Sequence, residues 1–290
     1  MSKPVSMSFV SSSDAPADSL KLTFALNGEA EEIHSVRVLN GGETVFFGYA
    51  DEQTETVSAK GTILTVRARS LAAILLDNEA RPGAYCLPTM DMIFEQHLRP
   101  LGFAGYSGEN IVCKGDLVVT KGMSEWEMLS LFCSICGIDK PYVTDDGIIV
   151  IGEKRKADTV LIDRNSPGIR FSRSIKRSAL ISDIYIRTSK NDGYIYHMEN
   201  DHAKKHKGLK VRYFNAADNF RRSPAYAGRV MSAGNRGFMT CSAEIAGIIS
   251  CRVGDIMVIG TGKEKYRITG LRYDLGINGE KTTITAEVEE

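Results

Sequence analysis

The stretch Gly122–Gly152, GMSEWEMLSLFCSICGIDKPYVTDDGIIVIG, decides how the rest of this 290-residue chain is read. Ser124 stands where an N-cap should, and Glu127 follows three residues later, placed to reach back to the cap's own amide, which is the pattern of a capping box. Met123 and Met128 occupy the flanking staple positions. Trp126, Leu129, Phe132, Cys133 and Cys136 recur at three- and four-residue steps and lay one apolar stripe along a helix that Gly137 ends. Beyond it, Asp145-Asp146-Gly147 turns one short strand back on another. A capped helix and a hairpin, with no paired acid and base and no phosphate loop, point to a scaffold rather than an enzyme.

On both sides of this unit the chain reads as strands. Residues 1–18 are serine-rich with little periodicity, which predicts a flexible arm or a strand ordered only by a partner. Strands follow at Leu20–Leu26, Ile33–Leu39, Thr44–Ala50 and Thr62–Ala68, with Leu20, Leu22, Phe24 and Leu26 alternating onto one face. Asn40-Gly41-Gly42 is a hairpin turn. The period becomes helical at Ser70, and a second helix is expected after Pro88 with Thr89 as its N-cap, ending before Pro100. Ile111–Val119 reads as a strand. From Val160 the pattern is β again, with strands at Ile169–Ile175, Leu180–Thr188, Tyr194–Met198, Leu209–Phe214, Phe238–Ala246, Asp255–Ile259, Lys265–Tyr273 and Thr282–Val288. Ser223-Pro224 opens a helix that runs through Ala225–Ala233 and stops at Gly234. The expected fold is therefore mainly β with an α+β insertion: two antiparallel β-barrels plus a small helical module. The expected boundaries are 1–68 for the arm and first barrel, 69–155 for the module, and 156–290 for the second barrel, with the completion of the first barrel by strands after residue 156 left open. Closure of each barrel would remove strand edges that otherwise aggregate.

The helix and hairpin, in that order, resemble the middle of the hub proteins of contractile phage tails and related injection machines, the late control protein D and baseplate hub family. Upstream, VRVLNGGETVFFGYADEQTETV and TVRARSLAAILLDNEARP are similar to the family's first barrel strands, with an aromatic-Gly turn at Phe47-Gly48, and to its first helix. Downstream, CRVGDIMVIGTGKEKYRITGLRYDLGINGEKTTITAEVE resembles its closing strands, with a Gly254-Asp255 turn. The order of these blocks carries the resemblance more than any one of them. It implies a homotrimeric structural protein of a phage, a tail-like bacteriocin or a secretion device. In that role three two-barrel subunits imitate a six-membered ring between the sixfold tube and the threefold spike. The implied partners are the tube or tube-initiator protein, the spike, baseplate wedge proteins and the tape-measure protein, with DNA only as passing cargo in a phage. The implied location is the host cytoplasm during assembly and the tail baseplate afterwards.

Composition sets fewer constraints. Lysine plus arginine equals aspartate plus glutamate at 36 each, so net charge recruits no nucleic acid. Acidic side chains outnumber basic ones in 1–155 and the balance reverses in 156–290, an asymmetry that could orient assembling subunits or be ordinary surface variation. Apolar runs such as Leu71–Leu76 fall far below the roughly 18 residues of a membrane helix, and the N-terminus lacks a signal-peptide core, so no stable membrane association is expected. Of the six cysteines, Cys133 and Cys136 form a CxxC inside the apolar stripe of a helix, and are read as buried, unbridged thiols rather than zinc ligands.

Candidate chemistry is sparse. His202 and His206 are four apart, but Ala203, Lys204 and Lys205 fill the gap where a zinc protease carries its glutamate. Lys204, Lys205, Lys207 and Lys210 would repel a divalent cation, so the segment reads as an exposed basic loop that meets an acidic neighbour or phosphate. No catalytic residue, metal site or cofactor site is assigned. The best candidate interface gathers Arg212, Tyr213, Phe214, Phe220, Arg221, Arg222 and Tyr226, residue types enriched at protein contacts. The same types stack on single-stranded nucleic acid, which keeps open an alternative: a soluble β-barrel binding module for nucleic acid or glycan. A zinc hydrolase built on Cys133, Cys136 and the His202 region is a more distant third reading.

Overall fold

The computed structural model describes residues 3–152, 156–163, 169–187, 193–215, 224–260 and 264–289. The chain divides into two compact units, Met1–Lys156 with Arg272–Glu280, and Ala157–Leu271 with Lys281–Glu290. Its strands are largely antiparallel and outweigh its helices, so the protein is mainly β with an α+β insertion.

In the first unit, β1 (Ser6–Ser12), β2 (Ser19–Leu26), β3 (Ser35–Asn40), β4 (Glu43–Ser58) and β5 (Gly61–Ser70) form an antiparallel sheet in the order β1–β2–β5–β4–β3. The alternation seen in β2 is the reason it pairs here: Leu20, Leu22 and Phe24 are buried, and each faces a residue of β5 across the register Leu20↔Ala68 to Phe24↔Leu64. The serine-rich start is neither a flexible arm nor a strand awaiting a partner, because β1 pairs with β2 in the register Ser6↔Thr23 to Val10↔Ser19. Phe9 anchors it, stacked on Tyr273 at 5.6 Å and edge-on to Phe46 at 6.0 Å. Phe47-Gly48 is not a turn. Gly48 lies inside β4, where a Cβ would stand 2.0 Å from the Arg69 carbonyl oxygen, so only glycine permits this approach of β5.

The α+β insertion follows: α1 (Ala73–Asp77), β6 (Gly83–Tyr85), α2 (Met90–Ile93), β7 (Gly105–Ser107), β8 (Leu117–Val119), α3 (Glu125–Cys136), β9 (Tyr142–Val143) and β10 (Ile148–Val150). Both predicted caps are present. Thr89 accepts from the Met92 amide at 3.1 Å, and Ser124 and Glu127 form the reciprocal capping box before Gly137 ends α3 at φ 74°. The second helix differs from its expected form, continuing α2 as a π-turn over Phe94–Leu98 and a 3₁₀ turn over Arg99–Leu101. The strand expected over Ile111–Val119 contracts to Leu117–Val119, with Val112 making one bridge to Thr89. Met90, Ile93, Leu98, Leu117, Met128, Leu129, Phe132 and Ile149 are fully buried in one core, each contributing roughly 1.5–3 kcal/mol on burial.

The second unit holds β11 (Thr159–Ile162), β12 (Arg170–Ile175), β13 (Ile181–Arg187), β14 (Tyr196–Glu199), α4 (Asp201–Lys205), β15 (Lys210–Asn215), α5 (Pro224–Arg236), β16 (Met239–Ala246), β17 (Ile256–Ile259), β18 (Lys265–Gly276) and β19 (Gly279–Val288). From Arg272 onward β18 belongs to the first unit, whose order then reads β18–β1–β2–β5–β4–β3. Within the second unit β12–β16–β19 run antiparallel, β17 pairs with β18 antiparallel, and β11 lies parallel to β17. Strands β14–β13–β15 form a separate sheet. Helix α5 does not stop at Gly234 but continues to Arg236. A Cβ at Gly234 would lie 2.7 Å from the Ala179 carbonyl oxygen, so this glycine serves a close packing contact and not a helix end.

Candidate functional site

The β14–β13–β15 sheet carries most of the residues singled out in the sequence. Strand β13 pairs antiparallel with β14, Tyr185 opposite His197, and parallel with β15, Tyr185 opposite Tyr213. Alternation then divides the side chains. Ile184 and Ile186 are buried with Ala227 and Met231 of α5, and Met198 and Phe214 pack against them. Phe214 also meets Tyr226 of α5 at 5.9 Å. The other face carries Asp183, Tyr185, His197 and Tyr213.

The candidate interface is thus distributed over two faces. Tyr213 belongs to the outer face and is 62% exposed; Phe214 and Tyr226 belong to the helix-covered face; Arg212 is exposed on β15. Phe220, Arg221 and Arg222 lie outside the described residues. A strand reading of Leu209–Phe214 already implied this split, since neighbours in a strand point opposite ways.

On the outer face three rings stand in a row across the strands. Tyr185 and His197 stack at 4.3 Å with planes 4° apart, and Tyr185 and Tyr213 stack at 5.4 Å and 17°. Tyr194 meets Tyr213 edge-on at 5.2 Å, with the Arg187 guanidinium 5.8 Å above the Tyr194 ring. Rings stacked along the inter-strand direction spend their faces on one another and turn their edges to solvent. The sequence offered one missed signal for this row, the Tyr-x-Arg and His-x-Glu alternation of β13 and β14.

Charges frame the row. His197 Nε2 lies 2.9 Å from Asp183 Oδ1, and Lys204 pairs with Glu199 and sits 3.9 Å from Asp183. Hydrogen bonds from Ser182 and then His197 hold the Asp183 carboxyl below the usual carboxylate range, and Lys204 does the same for Glu199. The basic segment is not a loop. Asn200 caps α4 by accepting from the Ala203 amide at 3.2 Å, and Ala203 is buried. Lys204 is therefore ion-paired, Lys210 donates to the Ser178 carbonyl, and Lys205 and Lys207 stand exposed.

The histidine pair lies on and just past the same helix, His202 in α4 and His206 as its C-cap. His202 and His206 are 4.7 Å apart, and both pack on Phe238. Burial, followed by His202, Lys205 and Arg177, lowers the His206 pKa. Among the described residues no group of three or more His, Cys, Asp or Glu is arranged to hold a metal ion, and no helix is long and apolar enough to cross a membrane. Cys133 and Cys136 sit in the first unit, where burial pushes both thiols up to about 12.

One polar cluster escaped the sequence reading. His97 and Glu125 are buried in the core of the insertion, with His97 Nδ1 3.1 Å from Glu125 Oε2 and His97 Nε2 2.9 Å from the Tyr85 hydroxyl. The three residues come from the π-turn, the first turn of α3 and β6, so nothing local announces them.

No family model matches the sequence, and no curated protein does. Solved structures do. A tail protein from Neisseria meningitidis MC58 aligns with a TM-score of 0.78 at 16% identity, covering 98% of this chain and 92% of that one. The fold is that of phage tail proteins. The 43 kDa tail protein of prophage MuSo2 from Shewanella oneidensis aligns at 0.76 and 14% identity, over 99% of this chain and 94% of the other. The c3393 protein of E. coli, a type VI secretion component described as similar to T4 tail proteins gp27 and gp5, aligns at 0.55 and 9% identity, over 99% and 74%.

Proposed function

We propose that this chain is a structural hub protein in the baseplate of a contractile tail or tail-like particle. One observation carries the reading: the likeness to a tail protein spans 98% of the chain at a TM-score of 0.78, so it covers both units and not one common β motif. The likeness to a type VI secretion component extends the same role to injection devices. On this reading the chain divides into a first barrel (1–68, with β1 as one of its strands and β18 from Arg272 completing it), the α+β module (69–155) and a second barrel built from the rest of 156–290. Three copies present six barrels in a ring, matching a sixfold tube on one side and a threefold spike on the other. The partners are two further copies, the tube or its initiator, the spike, wedge proteins and the tape-measure protein. DNA passes through in a phage and is absent from an empty particle. The task is mechanical and requires no catalytic group. The chain is made in the host cytoplasm and then resides in the baseplate.

Tyr213, Tyr194, Lys205 and Lys207 are the contact residues this reading favours. A binding module for nucleic acid would need open ring faces on which bases stack, and the row on β13–β15 offers mainly edges. The test is mass by light scattering, alone and with the spike and tube proteins of the same particle. A trimer, or a complex with three copies, is the expected result. A strict monomer that ignores both at high micromolar concentration, or one that binds oligonucleotides with steep salt dependence, overturns the proposal.

A further inference from the structure

We propose that Cys113 and Cys136 form a redox-controlled disulfide that staples the end of α3 to the segment between β7 and β8. Their sulfurs lie 3.3 Å apart, although 23 positions separate them in sequence. A disulfide requires about 2 Å between sulfurs, a closure within reach of small side-chain rotations. Cys113 is 1% exposed, while Cys136, in the last turn of α3, is half-buried and is the thiol a small oxidant meets first. The segment bearing Cys113 is held in place: its amide donates to the Pro88 carbonyl at 2.9 Å, and the Met90 amide donates to the Ile111 carbonyl at 3.0 Å. The staple would therefore tie the C-terminus of α3 to the capped start of α2 within one core. The inference does not depend on the tail reading.

The chemistry closes with a peroxide as oxidant. Peroxide converts the Cys136 thiol to a sulfenic acid and releases one water. The Cys113 sulfur then attacks the sulfenyl sulfur, the S–S bond forms, the S–O bond breaks and the oxygen leaves as a second water. Each thiol has lost one hydrogen, and the peroxide has taken up two electrons and two protons. Burial pushes the Cys136 thiol up to about 12, with its contact to Cys113 adding to the shift. Thiolate is accordingly scarce near neutrality, and the first step accelerates about tenfold per pH unit below that value. Such a pair stays reduced in a cytosol and closes slowly outside it.

The experiment treats the full chain with hydrogen peroxide between pH 7 and 9, alkylates it and maps tryptic peptides without reduction. Cleavage after Lys114 and Lys121 places the two cysteines on separate peptides. Expected is a linked Cys113–Cys136 pair that persists in Cys133→Ser, disappears in Cys136→Ser and forms faster at higher pH. Oxidation should also raise the Tm by about 5 °C, reversed by dithiothreitol. Sulfinic or sulfonic acid at Cys136 without a linked peptide, oxidation confined to the exposed Cys86, or a link that persists in Cys136→Ser overturns the proposal.

Discussion

Two histidine–carboxylate pairs, one in each unit, share a geometry and differ in surroundings. In the α+β insertion His97 Nδ1 lies 3.1 Å from Glu125 Oε2, and the side chains are 1% and 7% exposed. On the β14–β13–β15 sheet His197 Nε2 lies 2.9 Å from Asp183 Oδ1, with exposures of 31% and 18%. The distances alone would rank the second pair higher. Solvent reverses the ranking of what each loses when broken: a buried group deprived of its partner has no water to turn to, whereas an exposed one does. The insertion hides its polar cluster in the core and depends on it. The sheet wears its polar groups outside and depends on the apolar contact with α5.

The largest effect is expected from Glu125→Ala. It strands His97, which the Tyr85 hydroxyl alone would satisfy on the other side of the ring, and should cost about 3–5 kcal/mol in urea unfolding. Glu125→Gln keeps an acceptor for the imidazole and should cost distinctly less. Equal, small losses for the two variants would show that the buried pair supports nothing.

Next comes Gly234→Ala, which tests whether the second unit relies on its helix. The exchange removes the penalty of a mid-helix glycine, about 1 kcal/mol. Against that gain, the new Cβ meets the Ala179 carbonyl oxygen at 2.7 Å and must push α5 off the 3₁₀ turn over Arg177–Ala179. A net loss of about 1–3 kcal/mol is expected. A gain in Tm would mean that α5 shifts freely and that the second unit does not depend on its packing against the sheet.

This glycine also shows where reading the sequence ran short. The capping box at Ser124 and Glu127 was legible because donor, acceptor and spacing all lie within four residues. The hairpin glycines at 41 and 147 were legible for the same reason. Gly234 looked like a helix stop because a stop and a close packing contact use the same residue, and only the position of Ala179 separates them. The pairing of β1 depended on Phe9 finding Phe46 and Tyr273, distant in sequence. Of the candidate site, the alternation separating Tyr213 from Phe214 was present in the text. The cross-strand partners that complete the ring row, Tyr185 and His197, belong to other strands and required the register. The contact between Cys113 and Cys136 was equally long-range.

On the exposed side, His197→Ala should cost no more than about 1 kcal/mol. It removes one hydrogen bond from Asp183, which keeps that of Ser182 and the nearby Lys204, and takes one ring from the stack. A loss comparable to that of Glu125→Ala would erase the distinction between the two pairs. The variant also bears on the interface reading. If the ring row is a protein contact, His197→Ala should weaken association with partner subunits more than it lowers stability, which light scattering at matched temperature would resolve.

The smallest effect expected is a pH dependence that originates in His206. Its ring packs on Phe238 at 4.6 Å and on His202, and its burial, with His202, Lys205 and Arg177 all adding positive charge nearby, lowers its pKa in the folded chain. The unfolded chain binds the proton near the ordinary histidine value, about 6.5. Folding therefore favours the neutral ring, and its contribution is complete above that value and lost as pH falls through it towards the lower folded value. Asp183 and Glu199, whose pKa values are also lowered, titrate in more acidic solution. The interval from pH 7 to 5 consequently lies above the range in which these two carboxylates matter. Wild-type protein should melt at a lower temperature at pH 5 than at pH 7, and His206→Phe should flatten that slope. The other four histidines are unchanged in this variant, so the difference between the two slopes belongs to His206 and the residues it packs against. An unchanged slope would place the acid sensitivity elsewhere and make the packing of α4 on Phe238 indifferent to charge.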